Sequence, residues 1–393
     1  MTGIGVATWA GRAERRRGRS LSSARVSPAR WALVALSFAA AIAASGYVVW
    51  STWPAEGGTV ALPLLAQAFG AGAFLLELLS RAWKIQLSAR ALRIPLAFGT
   101  ALRTCLGGDF GAAVTPARSG AEPARFLVLT EARVPGAGRL LILFTELFLE
   151  MFSLAAVALA LAVVFHGTGG ALAGLEGLVG GYAVFVLGIG GVGLLLARRN
   201  AGGPPPRWAT WLGAGRWRAV QRSVRQLRSS VDAVRGARLG TMTLAFFASV
   251  VHIVARVLVL PGLVYGTALA GGPAVPFTRD AVAPLVLWPL ALSYGAAVAP
   301  APGGGGVVEA AFAATLAGTI PAAIFGASLI WWRVYTFYAY VLLGGVATGR
   351  TAVRALRRRG RRRAGAGGTA PDAAPQASAV VAATASTVST TPT

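Results

Sequence analysis

Residues 31–50 read WALVALSFAAAIAASGYVVW, twenty consecutive positions without a charged side chain. At a helical rise of about 1.5 Å per residue such a run is about 30 Å long, the thickness of the hydrocarbon core of a bilayer. Because more runs of this kind follow, we interpret residues 31–50 as a retained membrane helix and not as a cleaved signal peptide. This run therefore predicts a membrane protein.

Comparable apolar runs recur along the chain. The long ones are Thr59–Leu79, Arg139–Phe165, Leu178–Ala197, Gly240–Ala270, Ala281–Ala299 and Pro321–Thr348. Two shorter segments, Ile94–Thr115 and Val307–Ile320, are interrupted by Gly or Pro. Of the 393 residues 55% are hydrophobic and only 13% are charged, about half the charged share of a soluble domain. This composition excludes a soluble enzyme and a disordered chain. It predicts an all-α polytopic membrane protein, because helices satisfy their own backbone polar groups in lipid.

The charge is strongly positive, with 37 Lys+Arg against 13 Asp+Glu and a formal net charge of +24. The arginines cluster between the apolar runs, a pattern typical of cytoplasmic loops, so we do not attribute them to nucleic-acid binding. The basic segments are residues 1–30, 80–103, 116–139, 198–238 and 350–363. They predict that both termini are cytoplasmic and that the chain lies in the cell membrane.

Termini on one side of the membrane require an even number of crossings, whereas the long runs, counted with residues 31–50, number seven. Either Val307–Ile320 adds a crossing, or residues 281–320 form a re-entrant hairpin. Residues 94–115 begin and end beside basic segments, which predicts a re-entrant dip. We therefore expect six to eight transmembrane helices with one or two re-entrant broken segments. Breaks in both halves of the chain, entering from opposite sides, indicate a possible inverted repeat.

The chain divides into three predicted regions. Residues 1–28 are a disordered basic cytoplasmic arm, residues 29–350 are the membrane domain, and residues 351–393 are a basic and then disordered tail. Within the membrane domain, residues 198–240 form a basic cytoplasmic loop. Its segment 216–238 has the apolar spacing of an amphipathic basic helix, which suits the anionic inner leaflet. A seam for a partner helix is the alternative.

Acidic and basic side chains inside apolar runs are costly and hence candidates for function. If residues 118–125 are helical, Arg118, Glu122 and Arg125 share one face and could grip a phosphate. The alternative is structural: Ser119 and Glu122 fit a capping box, and Arg125 could mark the membrane interface.

The second candidate region is residues 300–309, PAPGGGGVVE. Its glycines and prolines break the helix, and bare amides of Gly303, Gly304 and Gly306 could bind an anion. Glu309 would lie at the start of the next helix, where the helix dipole favours an acid. A structural Gly-rich loop is the alternative.

The remaining candidates are isolated charged residues inside the apolar runs. Arg333 lies near mid-depth and needs an acid, for which Glu150 or Glu309 would serve, or a phosphate. We expect Glu77 and Glu146 to be interfacial. His252 and Arg256 are one turn apart and share a face; a structural ion-pair network could account for all of these charges.

The predicted substrate-binding residues are Arg118, Glu122, Arg125, Glu150, Gly303, Gly304, Gly306, Glu309 and Arg333. We predict no catalytic residue, no cofactor and no metal. Residues 188–193 match a dinucleotide fingerprint, but they lie inside an apolar run, where close helix packing accounts for the glycines.

The two broken segments also carry a family resemblance. Residues 116–125 resemble the first motif of the transmembrane region of the lysylphosphatidylglycerol synthases, a flippase-like family, with Ala121 where a second glycine is common. Residues 300–309 match the second motif of that family. The resemblance spans residues 30–350.

The resemblance implies a protein that moves a lipid across the membrane, with a phospholipid or a polyprenyl-phosphate-linked lipid as substrate. It does not imply synthase activity, since that activity would require an additional aminoacyl-transfer domain. Two alternatives remain open. One is a membrane enzyme acting on a lipid-linked substrate with Asp109 and Glu122 as its acid–base pair. The other is a non-catalytic partner of a lipid synthase or glycosyltransferase that docks through residues 216–238.

Overall fold

The computed structural model describes residues 28–51, 61–115, 118–167, 238–295 and 301–349, together with isolated helical positions between 174 and 188. Four predicted features lie outside the described residues: the arm before residue 28, nearly all of the run Leu178–Ala197, the amphipathic segment at 216–237 and the tail at 351–393. The prolines Pro116 and Pro300, which open the two motifs, also lie outside them.

Every regular element in the described part of the chain is helical, which confirms the all-α prediction. The helices are α1 Pro28–Ser51, α2 Leu64–Ala91, α3 Phe98–Ala113, α4 Ala121–Glu131, α5 Gly136–Val164, α6 Leu239–Leu269, α7 Arg279–Gly295, α8 Val307–Leu316 and α9 Ala322–Arg333. A 3₁₀ turn at Pro302–Gly304 precedes α8, and a π-helical turn at Val334–Tyr338 continues α9 into helical residues 339–349.

Helix length separates two kinds of element. Helices α2, α5 and α6 have 28, 29 and 31 residues and are apolar and long enough to cross a membrane. Helices α3, α4 and α8 have only 16, 11 and 10 residues. The longest of these three reaches about 24 Å at 1.5 Å per residue, less than the hydrocarbon core. The full count of six to eight crossings stays a prediction.

Helices α3 and α4 form a tight antiparallel pair, here called the first hairpin. Near its tip, a Cβ built on Gly111 would lie 2.4 Å from the Gly120 carbonyl oxygen, and one on Gly120 would lie 2.6 Å from that of Gly111. At its open end, Arg103 pairs with Glu131 at 2.7 Å. The chain therefore turns back on itself between α3 and α4.

Helices α2 and α6 cross the centre of the bundle in antiparallel directions. A Cβ built on Gly266 would lie 2.7 Å from the Ala66 Cα, so the two backbones are in contact there. At the opposite end of the pair, the Arg238 N–H donates to the Ala91 carbonyl at 3.3 Å. We call these two ends of the bundle the Leu64 end and the Ala91 end.

The two breaks enter from these opposite ends. The first hairpin opens at the Ala91 end, where Leu96 and Leu129 pack against Ala89 of α2. Helices α7 and α8 contact each other and form the second hairpin. It opens at the Leu64 end, where Leu316 shares a core with Leu62.

Each half contains, among its described helices, a long helix, a hairpin and a final helix, and each final helix also packs on the long helix of the other half. Helix α5 of the first half packs on α6, where the Ser153 and Ser249 hydroxyls are 2.6 Å apart. The π-helical turn of the second half packs on α2, where the Tyr335 hydroxyl donates to Gln67 at 2.6 Å. With α2 and α6 antiparallel, this is the arrangement expected of an inverted repeat.

Two expectations from the sequence were wrong. The predicted basic loop at residues 80–103 is helical as far as residue 91. Helix α2 continues to Ala91 and buries Arg81 and Lys84, which are 4% and 0% exposed. These cations lie one and two turns after Glu77, on one face of the helix, where acidic partners meet them. The bounds of the first break were also wrong: residues 94–115 were expected to dip into the membrane and return, whereas the chain returns through α4 at Ala121–Glu131, inside the predicted basic segment 116–139.

The contact at Gly266 gives a stability test. We expect Gly266→Ala to lower the free energy of unfolding by about 1–3 kcal/mol, because its methyl group would overlap the backbone of α2. The matched control is Gly72→Ala on α2, where a Cβ meets nothing within 4 Å and helix propensity favours alanine by about 1 kcal/mol. Thermal unfolding in detergent checks both variants; equal midpoints would contradict the close approach.

Candidate functional site

The tips of the two hairpins meet around a small internal space, here called the central cavity. Its volume is about 60 Å³. The first hairpin contributes Asp109 and Arg118, the second contributes Gly303, and α6 contributes Arg256. The remaining polar lining is Ser293 of α7 together with Trp332, Arg333, Thr336 and Tyr340 of the last helix.

Arg118 is the exceptional group in this lining. It makes no ion pair with any residue that the structure describes. Its backbone has φ 55°, a left-handed conformation that is unfavourable for a side chain other than glycine. The break between α3 and α4 thus holds an uncompensated guanidinium against the cavity.

Arg333 lies on the opposite wall and is neutralised by the second break. Its Nε is 2.7 Å from Glu309 Oε1, which confirms Glu309 as one of its two predicted acidic partners. Its guanidinium lies 4.5 Å from the ring centroid of Phe337. A Cβ on Gly303, whose φ is 61°, would lie 2.2 Å from the same ring, so the close packing requires glycine.

The amides of the second break are already hydrogen-bonded. The Gly306 N–H donates to Glu309 Oε2 at 2.8 Å and to Ser45 Oγ at 3.0 Å. The Gly304 N–H donates to the Ala301 carbonyl at 3.0 Å. Glu309 therefore caps α8 and holds Arg333, and the Gly304 and Gly306 amides are not free donors for an anion.

A row of alternating charges runs through the centre of the bundle and reaches the cavity at both of its ends, Asp109 and Arg256. Asp109 pairs with Arg81, and Arg81 lies 3.4 Å from Glu77. Glu77 is 0% exposed and lies 3.5 Å from Arg256, so the expectation that it is interfacial was wrong. Arg256 also donates to the Thr336 carbonyl at 3.1 Å, in the π-helical turn. Such turns recur at functional sites.

A second row of charges ties the first hairpin to α2, α5 and α6. Its members in order are Glu122, Arg125, Glu146, Lys84, Glu150 and His252. Glu146 is 2% exposed and pairs with Arg125, so it too is not interfacial. Glu150 contacts Lys84 and lies 3.2 Å from His252 Nε2.

The predicted Arg118–Glu122–Arg125 face is divided in the structure. Arg118 precedes α4, and the N-cap of that helix is Gly120, whose N–H donates to Thr115 Oγ1 at 2.8 Å. The capping box proposed for Ser119 is therefore replaced by a glycine cap. Arg118 reaches the cavity, whereas Arg125 lies in the second row of charges.

Of the predicted site residues, Arg118, Gly303 and Arg333 line the cavity and Glu309 lies directly behind Arg333. Sequence reasoning missed Lys84, Trp332 and Tyr340. The spacing of Glu77, Arg81 and Lys84 at i, i+4 and i+7 was the available signal for Lys84. Trp332 and Tyr340 belong to no comparable spacing pattern in the sequence.

The Glu309–Arg333 pair gives a test of the buried charges. We expect Glu309→Gln and Arg333→Gln each to destabilise the protein by about 3–5 kcal/mol, because each leaves an unpaired buried charge. The double variant should lose less than the sum of the two. Chemical unfolding in detergent gives the free energy of unfolding of the wild type and of each variant in this double-mutant cycle.

The control for that cycle is the Arg103–Glu131 pair, whose side chains are 38% and 21% exposed. Removing Arg103 should cost no more than about 1 kcal/mol. Additive losses at Glu309 and Arg333 would contradict a direct interaction between them.

Comparison with known proteins adds the family. The family described as the lysylphosphatidylglycerol synthase TM region matches residues 34–344, which include both hairpins and the central cavity. A search of curated proteins finds no match to the chain.

Proposed function

Since this chain belongs to the family of the lysylphosphatidylglycerol synthase transmembrane region, an integral membrane family related to lipid metabolism, we propose that it moves a lipid between leaflets. In this proposal the central cavity binds the phosphate of the lipid headgroup. Phospholipids and polyprenyl-phosphate-linked lipids share this phosphate, and either class would fit. The proposal includes no bond-making step.

The observation that carries the proposal is Arg118. An unpaired guanidinium inside a membrane domain is costly and is expected to face a ligand or water. Arg118 is held there in an unfavourable backbone conformation, beside a cavity whose other cations are already paired. A phosphate would supply the missing charge and accept two parallel N–H donors from the guanidinium.

Two further donors support an anion at this position. The Trp332 Nε1 and Tyr340 hydroxyl atoms are buried and have no hydrogen-bond partner among the residues that the structure describes, and both residues line the cavity. Buried polar atoms without partners are rare and call for an explanation. The volume of about 60 Å³ would hold roughly four waters, a size suited to a phosphate group and not to a whole lipid.

The hairpins suggest how a headgroup would pass. The first opens toward the Ala91 end and the second toward the Leu64 end, and both tips line the cavity. Alternate displacement of the two hairpins would expose the cavity to each side in turn, while the acyl chains stay in the bilayer. We further propose that the chain lies in the plasma membrane with both termini cytoplasmic, so that the Ala91 end faces the cytoplasm.

The test is Arg118→Gln. We expect this variant to lose headgroup-dependent leaflet exchange, at least tenfold by the usual value of one charged hydrogen-bonded contact. Its unfolding midpoint should stay the same or rise, because no ion pair is lost. Exchange is measured with labelled lipids of several headgroups in proteoliposomes.

Arg133→Gln is the matched control. Arg133 is also an arginine with positive φ, at 60°, but it is exposed and does not line the cavity. Unchanged exchange in Arg118→Gln would overturn the assignment of the cavity. Folded wild-type protein that exchanges no lipid would overturn autonomous lipid movement. A chemically altered lipid would instead identify an enzyme.

A further inference from the structure

A second site lies on the outer surface of the bundle, where α2 and α6 meet at the Ala91 end. A recess there, here called the basic recess, has a volume of about 520 Å³. Its cationic lining is Arg90, Arg93 and Arg238, all of them exposed. Within the described residues none of the three forms an ion pair, and none of the other lining residues is acidic.

An apolar groove continues from this recess along the seam between α2 and α6. The groove has a volume of about 460 Å³ and shares Leu244 with the recess. Trp83 and Phe247 line it and are 50% and 58% exposed. Its α2 lining extends from Gln86 to Leu76, which is about 15 Å at 1.5 Å per residue.

These dimensions match one leaflet. Half of a hydrocarbon core of about 30 Å is about 15 Å, so an acyl chain lying in the groove would place its headgroup at the recess. Trp83 lines the groove about one turn from Gln86, at the end nearer the recess, where an amphipathic ring favours the membrane interface.

We propose that the basic recess and the apolar groove together bind one anionic phospholipid as a resident lipid, separate from any lipid that enters the central cavity. The phosphate would meet Arg90, Arg93 and Arg238, and one acyl chain would follow the groove. Charge complementarity selects this occupant. The chain segment that precedes Arg238 carries Arg216, Arg218, Arg222, Arg225 and Arg228, which the three recess arginines would repel.

We expect this site to select lipids by their net charge and not by the identity of the headgroup. Three exposed arginines without directional partners act mainly as point charges toward a phosphate at the membrane surface. Phosphatidylglycerol and phosphatidylserine should therefore bind alike, and zwitterionic phosphatidylcholine should bind weakly. This inference does not depend on the proposed leaflet exchange.

The experiment uses full-length protein in nanodiscs with lipids that carry a photoactivatable acyl chain. Phosphatidylglycerol and phosphatidylserine should label residues 76–83 and 244–251 alike, and phosphatidylcholine should not. In the triple variant Arg90→Gln, Arg93→Gln, Arg238→Gln, the lipid fraction for half-maximal labelling should rise roughly 100-fold. The corresponding triple Lys variant should keep most of the labelling, and Arg133→Gln should keep all of it.

Three results would overturn the proposal: equal labelling by phosphatidylcholine, unchanged labelling in the triple Gln variant, or a groove that no lipid labels because another protein segment covers it. The two lipid sites are told apart by Arg118→Gln, which should leave groove labelling intact. In the triple Gln variant, loss of groove labelling with leaflet exchange retained would support the basic recess as a separate lipid site. In Arg118→Gln, unchanged exchange with groove labelling intact would overturn the central cavity and leave this site standing.

Discussion

The structure depends on the pairing of charges buried among apolar helices. Lys84 is 0% exposed and Glu77 is 0% exposed, and in hydrocarbon each would be prohibitively costly without its partners. Each buried cation of the two rows therefore pairs with at least one acid from another helix, as Arg81 of α2 does with Asp109 of α3 and Lys84 of α2 does with Glu146 and Glu150 of α5. Separating a buried ion pair costs far more free energy than separating a pair at the surface. These contacts therefore fix the register of α2 against its neighbours. Apolar side chains alone, in lipid, would provide little such specificity.

The same constraint attaches each hairpin to the helix that follows it. Arg125 in the first hairpin pairs with Glu146 of α5, and Glu309 in the second pairs with Arg333 of α9. The two pairs occupy similar places in the two halves, with the charges reversed. In both halves an ion pair thus attaches the hairpin to the following helix, although the charges are reversed. The reversal leaves the two sides of the cavity electrostatically different, which an exact repeat would not do.

The sequence predicts the membrane class, most helix positions and the opposite entry of the two breaks, because apolar length and arginine placement are local signals. It predicts that Arg333 needs an acid, Glu150 or Glu309, or a phosphate, because a mid-depth arginine requires compensation, and the structure selects Glu309. It fails at Lys84 and Glu146, because a charged residue near the end of an apolar run is predicted to lie at the membrane interface. Only the packing of α2 against α5, which residue spacing does not encode, shows that both are buried.

The two anion sites proposed here use arginine in opposite ways, and the first hairpin links them. Phe98, at the start of α3, lines the apolar groove, and Asp109 near its other end lines the central cavity. Eleven residues separate them, about 17 Å of helix. In the two proposals, clustered arginines at the surface would attract any anionic lipid by charge without fixed geometry. Inside, the guanidinium of Arg118, held by a strained turn among paired charges, would offer fixed geometry to one phosphate. The resident lipid and the lipid that enters the cavity would therefore be recognised by different physical means, net charge at the surface and geometry inside.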